Sequence, residues 1–254
     1  MFVVSILFSL SVEAEFENLE RKTLKIEMID NFQHADGSKA SRIMEFYRTH
    51  HRDWLIDAEP VYLELYDRTA HTFGTPSENP MVTGPIFAFT RATGSTKLIE
   101  RIERDFPKVN PFVFLEELRP GGWPIPGDPS QRKGVRGQML STLIACRDHE
   151  YVHDTIRKAR QLKADSDDRL LIIWALGYST DLEAVTFLKS LVTSNVVRES
   201  QIARSALNYL VSHSVKNKLG VDAAIKIKTE IIEMFPELDI FRRVTPREYY
   251  PDSE

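Results

Sequence analysis

Between residues 135 and 235, apolar side chains recur at helical spacing and short polar turns interrupt them at regular intervals. The spacing predicts helices over 135–146, 149–163, 167–177, 181–193, 197–213 and 221–235. Upstream the pattern is less regular. Phe16, Leu19, Leu24, Met28 and Phe32 form a helical stripe within charge-dense 15–32. Asp36 or Ser38 then offers an N-cap for a helix over 39–50. Glu59-Pro60 can open a further helix with Val61, Tyr62, Leu65 and Tyr66 on one side, and 74–80 reads as a loop. An apolar stretch over 85–92 follows. Ser95 then caps a helix carrying Leu98, Ile99, Ile102 and Phe106, which Pro107 ends. Asn110-Pro111 starts a short helix over 112–118. The segment 120–134, PGGWPIPGDPSQRKG, is the most irregular of the chain and reads as a domain boundary or a long inserted loop. The tail 236–254 holds Pro236, Pro246 and Pro251 and reads as loop or frayed end.

The regular half also repeats itself. Asp148-His149-Glu150-Tyr151-Val152 and Asp181-Leu182-Glu183-Ala184-Val185 share the pattern D-x-E-x-V, 33 residues apart. Each follows an apolar helix that ends in small residues, Leu143-Ile144-Ala145 and Ile173-Trp174-Ala175-Leu176-Gly177, and Ile202 to Leu207 resembles a third copy. Phe87-Ala88-Phe89, leading through Thr93-Gly94-Ser95 to Leu98, is an upstream echo. A two-helix unit cannot bury its apolar faces alone, whereas stacked units cover one another. The small alanines permit close helix approach. The Asp is expected to cap the second helix of each pair, and the Glu suits the positive end of its dipole.

The stretch from Arg169 to Leu188, with Ala175-Leu176-Gly177 and Asp181-Leu182-Glu183-Ala184-Val185, resembles the short HEAT-like repeat of phycobilisome lyases and many bacterial scaffolds. The likeness is good over 165–193, fair over 135–163 and 197–213, weak over 80–105, and reduced to helical character over 15–75. It implies an all-α, right-handed α-α superhelix, a HEAT-like solenoid of four to six hairpins. Residues 135–235 would hold its regular repeats and 15–119 a degenerate N-terminal helical region. The resemblance implies architecture more than activity, and such solenoids most often bind other macromolecules on one face.

Composition narrows the function classes. With 254 residues, 42% hydrophobic and 28% charged, the chain has material for one large domain or two small ones. A net charge of −4 and a pI near 6.0 disfavour nucleic-acid binding, which rests on neutralising phosphates. The basic group Arg157, Lys158, Arg160 and Lys163 is followed at once by Asp165, Asp167 and Asp168, so a mixed solvated face is the better reading than a DNA-repair groove. The single cysteine, Cys146, excludes an internal disulfide and a multi-cysteine zinc site. Beside Ile144 and Ala145 it reads as a small buried apolar residue. Uncharged 2–12, followed by Val12-Glu13-Ala14, has the form of a secretory h-region and cleavage site over 1–14, although no Lys or Arg precedes it. A buried terminal strand or helix is the alternative. Cleavage after Ala14 would make the protein periplasmic or secreted; without it the protein is expected in the cytoplasm. The run is too short to span a bilayer.

One catalytic motif needs weighing. His149-Glu150-Tyr151-Val152-His153 matches H-E-x-x-H, in which two imidazoles one helical turn apart hold zinc and the Glu activates a bound water. Charged Arg147, Asp148 and Asp154 surround it, and no His-x-x-Gly-x-x-His follows to supply a third ligand. Moreover, Asp148, Glu150 and Val152 fall on repeat positions, with Leu182 and Thr186 where the two histidines would recur. A His-Glu pair in such a frame is also similar to deoxyhypusine hydroxylase, but one pair cannot supply a dinuclear iron site. His34, His50, His51 and His71 match no metal spacing and read as solvated. No phosphate-binding glycine loop and no G-x-S-x-G elbow occurs. Trp174 reads as core, and Trp123, in the irregular segment, as a contact residue. The expectation is therefore a non-enzymatic scaffold that binds another protein, without cofactor, metal, small-molecule ligand or membrane span. The alternatives are a zinc hydrolase through His149, Glu150 and His153, and a HEAT-like nucleic-acid-binding or repair protein.

Overall fold

The computed structural model describes residues 55–75, 77–109 and 134–241, with Lys22 and Thr23. The apolar run at 2–12, the helices expected over 15–32, 39–50 and 112–118, irregular 120–133 and the tail from 242 lie outside the described residues. Among the described residues every regular element is helical, and none is long and apolar enough to cross a membrane. The chain divides into two compact units, Met1–Thr72 with Ser77–Leu98, and Phe73–Pro76 with Ile99–Glu254.

In the first unit, α1 (Glu59–Thr69) packs on α2 (Pro80–Thr93). Pro60 suits the first turn of α1, where its missing N–H costs nothing. Tyr62, Leu65 and Tyr66 are buried at helical spacing, and the Tyr62 ring stacks on Phe89 with centroids 3.8 Å apart. Burial pushes the Tyr62 hydroxyl pKa far above its ordinary value. The 85–92 stretch is part of a longer helix than the apolar run indicates. α2 begins at Pro80 and passes through Pro85, and the Asn79 carbonyl accepts from the Val82 and Thr83 amides. Gly94, at φ +67°, ends α2 in the left-handed region that glycine tolerates, its N–H donating to the Thr90 carbonyl. Ser95 then caps α3 (Thr96–Asp105), its Oγ accepting from the Leu98 amide at 3.3 Å. The same hydroxyl donates to Glu59 Oε1 at 2.7 Å, joining the first turns of α1 and α3.

In the second unit the expected helices are present. They are α4 (Gly134–Arg147), α5 (His149–Gln161), α6 (Asp167–Ala175), α7 (Leu182–Leu191), α8 (Val197–Tyr209), the four-residue α9 (Lys216–Leu219) and α10 (Val221–Met234). The helix expected over 197–213 runs further. After Tyr209 it widens into a π-helical segment, Leu210–Val215, and continues through α9 to Gly220. The packing forms two rows: α4 lies on α6 and α6 on α8, while α5 lies on α7. Chain-adjacent helices close the layers, α4 on α5, α5 on α6 and α7 on α8. One apolar cluster runs through these layers from Leu140 to Ile240, with Ile144, Ile156, Ile173, Leu188 and Leu207 almost fully buried. Trp174 belongs to it, as its apolar neighbours predict.

Small residues set the layer spacing. A Cβ on Gly177 would lie 3.0 Å from the Ala206 carbonyl oxygen and 3.2 Å from the Ala206 Cα. A Cβ there would press on the Ala206 backbone, so glycine suits the close approach of the turn after α6 to α8. Cys146 is half-buried, not enclosed as its neighbours suggest, because it falls in the last turn of α4, beyond the buried Leu143 and Ile144.

Candidate functional site

The H-E-x-x-H segment opens α5, and its two histidines face the residues that begin α7. His149 Nδ1 lies 2.8 Å from Asp181 Oδ2, and His153 Nδ1 lies 3.3 Å from Glu183 Oε2. Each imidazole thus meets a different carboxylate, on residues that begin α7. The hydrogen bond to Asp181, with that carboxylate's charge, raises the His149 pKa. Partial burial pulls the Asp181 pKa upward, but the His149 bond and the Glu183 amide outweigh it and hold the carboxyl below its usual range. Glu150 is exposed. Among the described residues no three His, Cys, Asp or Glu side chains are grouped to hold a metal. His71 is exposed, and His34, His50, His51, Trp54 and Trp123 lie outside the described residues.

The two repeated aspartates behave differently. Asp181 caps α7 as expected, Oδ1 accepting from the Glu183 amide at 2.7 Å. Asp148 does not cap α5 with its side chain. Its carboxylate reaches forward to the next turn instead, accepting from Ser179 Oγ at 2.5 Å, the Thr180 amide at 2.9 Å and the Thr180 hydroxyl. Its backbone, at φ +29°, lies where side chains are strained. That conformation aims the carboxylate at the neighbouring layer and away from its own helix.

A second tie, which sequence reasoning missed, lies at the α5–α6 turn. Arg169 Nε donates to Glu199 Oε1 at 2.5 Å, Nη2 to Oε2 at 3.3 Å, and Nη1 to the Ala159 carbonyl at 2.6 Å. The Asp165 amide also donates to Glu199 Oε1 at 3.1 Å. Glu199 is 2% exposed and Arg169 14%, so the pair is buried between hairpins. The available sequence signal was a Glu in the first turn of α8, 30 residues after the Arg that heads α6.

Beside these ties is a cleft of about 190 Å³. Phe106, Leu140, Leu171 and Ile172 make its apolar wall, and Arg136, Tyr151, Asp154, Lys158 and Asp168 its polar rim. The Arg136 guanidinium sits 5.1 Å over the Phe106 ring and donates to the Val109 carbonyl. Burial first, with Glu103 and Glu150 nearby, raises the Tyr151 pKa. The rim carries both signs of charge. The basic group of α5 follows suit: Arg157 pairs with Asp154 at 2.8 Å, and Arg160 lies 5.8 Å over Phe187.

Neither protein-family models nor searches of curated proteins and of solved structures give any match to this chain.

Proposed function

We infer that residues 134–241 form a non-enzymatic protein-binding module of HEAT-like hairpins, with the cleft around Tyr151 and Lys158 as part of its contact surface. The observation that carries this reading is the layering of α4, α6 and α8 in one row with α5 on α7 in the other. Such an arrangement exposes long helical surfaces and devotes its interior to apolar packing. The Gly177–Ala206 approach and the Arg169–Glu199 tie support it, since each joins one hairpin to the next. The zinc-hydrolase alternative needs a third ligand beside His149 and His153, and among the described residues no three His, Cys, Asp or Glu side chains are grouped to hold a metal. An exported location remains part of the proposal only if 1–14 is cleaved.

The test is affinity capture from the source cell, with wild type beside a Tyr151→Ala/Lys158→Glu double variant. A partner retained by wild type and released by an equally stable variant supports the reading. Zinc at one per chain, with hydrolytic activity lost in His149→Ala, would overturn it.

A further inference from the structure

Three side chains that line the cleft of Phe106 and Leu171 have polar ends that the fold leaves unused. Thr155, on α5, is only 8% exposed, yet its hydroxyl has no hydrogen-bond partner among the described residues. A buried polar group ordinarily has one. Thr90 and Thr142, also buried in helices, return their hydroxyls to the carbonyls of Ile86 at 2.8 Å and Gln138 at 2.7 Å. Lys158 stands on the same face of α5 as Thr155, one turn further along, and Asp168 lies in the first turn of α6. Neither charge has an ion-pair partner among the described residues. Two other charges of the rim are engaged: Arg136 lies over Phe106 and donates to the Val109 carbonyl, and Asp154 holds Arg157. Over its apolar wall the cleft therefore offers a cation, an anion and a hydroxyl that no internal contact uses.

We propose that this cleft binds a free α-amino acid with a bulky apolar side chain. The side chain packs on Phe106, Leu140 and Leu171. The carboxylate accepts from Lys158 Nζ and Thr155 Oγ1, and the ammonium donates to the Asp168 carboxylate. Hydrogen bonds between charged partners are the strong ones. A plain carboxylic acid would bring its charge before Asp168 with nothing to answer it, and a plain amine would do the same before Lys158. A zwitterion satisfies both. The size agrees: about 190 Å³ is below the ~300–1,000 Å³ of pockets for drug-sized ligands and suits a molecule of one residue. This assignment goes beyond the protein-binding reading, because it gives the cleft a small ligand of its own.

Calorimetric titration of the full chain with L-leucine, no partner being present, tests this, so that its failure leaves partner capture untouched. One site per chain is expected, saturating at roughly millimolar concentration for a ligand this small. Isocaproate lacks the ammonium, isopentylamine the carboxylate and glycine the side chain, and each should bind at least about fivefold more weakly. Lys158→Gln and Asp168→Asn should each weaken leucine about threefold to tenfold, while isopentylamine binds the first and isocaproate the second no more weakly than wild type. A cleft that had merely loosened would lose all three ligands together. Thr155→Val should weaken leucine about threefold and melt no lower than wild type, because the lost hydroxyl had no partner inside the fold. Absence of saturable leucine binding up to about 10 mM overturns the proposal. So does a leucine affinity that isocaproate or isopentylamine matches, or one that Lys158→Gln or Asp168→Asn leaves unchanged.

Discussion

Replacing Glu199 with alanine separates an interior that holds the hairpins together from one that merely sits between them. The substitution strands the Arg169 side chain, 14% exposed in the intact pair, with the Ala159 carbonyl as its remaining partner among these bonds. It also removes the acceptor of the Asp165 amide. Breaking a buried ion pair from one side costs about 3–5 kcal/mol, chiefly through the stranded charge. Because Arg169 keeps one bond and some solvent, a loss of about 2–4 kcal/mol is expected in urea unfolding. For a chain of this size each kcal/mol shifts Tm by about 2–4 °C, so the melt should fall by roughly 4–16 °C. The control is Arg169→Met/Glu199→Leu, which removes both charges while keeping apolar volume. It should recover most of the loss, because apolar replacement of a whole buried pair is often neutral or better. A Glu199→Ala variant within ~0.5 kcal/mol of wild type, or a double variant worse than the single, would refute the reasoning.

Three further outcomes follow from the same contacts. Gly177→Ala pushes a methyl against the backbone of Ala206 and should cost about 1–3 kcal/mol despite alanine's better helix propensity; equal or greater stability by denaturant titration would mean that α6 and α8 are not in close contact. Asp148→Ala gives up three hydrogen bonds to the next turn and should cost about 1.5–3 kcal/mol, while Asp148→Gly, suited to φ +29°, should lose about 1 kcal/mol less; the reverse order would contradict the strained backbone. The His149–Asp181 contact stabilises when His149 is protonated and Asp181 ionised. Its raised imidazole contributes fully below about pH 6.5 and is lost as pH rises through the folded-state value, and its depressed carboxyl contributes above about pH 4 and is lost on acidification. Melts of wild type against His149→Ala should therefore differ most between about pH 4 and 6.5 and converge once pH has risen past the folded-state value of His149.

The sequence reveals the helices of 134–234 well because each buries one face at helical spacing between polar turns. It also identifies the cap of α7, since Asp181 bonds within its own turn. Asp148 occupies the same repeat position yet bonds 31 and 32 residues away, which no local pattern encodes. Glu199 is equally obscure: a first-turn glutamate ordinarily sits in water, and only the approach of α6 buries it. Pro85 misleads in the opposite sense, because proline commonly starts a helix and here lies within one. The cleft gathers Phe106, Arg136, Tyr151 and Leu171 from separate elements, so it exists only once they pack.

Hydrogen exchange on the intact chain tests most directly whether successive hairpins shield one another. Helices covered by neighbours in both the preceding and following layers, α6 above all, should exchange slowest, through 171–175. The last described helix, α10, should exchange far faster, and Glu199→Ala should accelerate α6 and α8 together while leaving 59–93 unchanged. Exchange in α6 as fast as in α10, or acceleration confined to α8, would contradict the layered arrangement on which the binding-module reading stands.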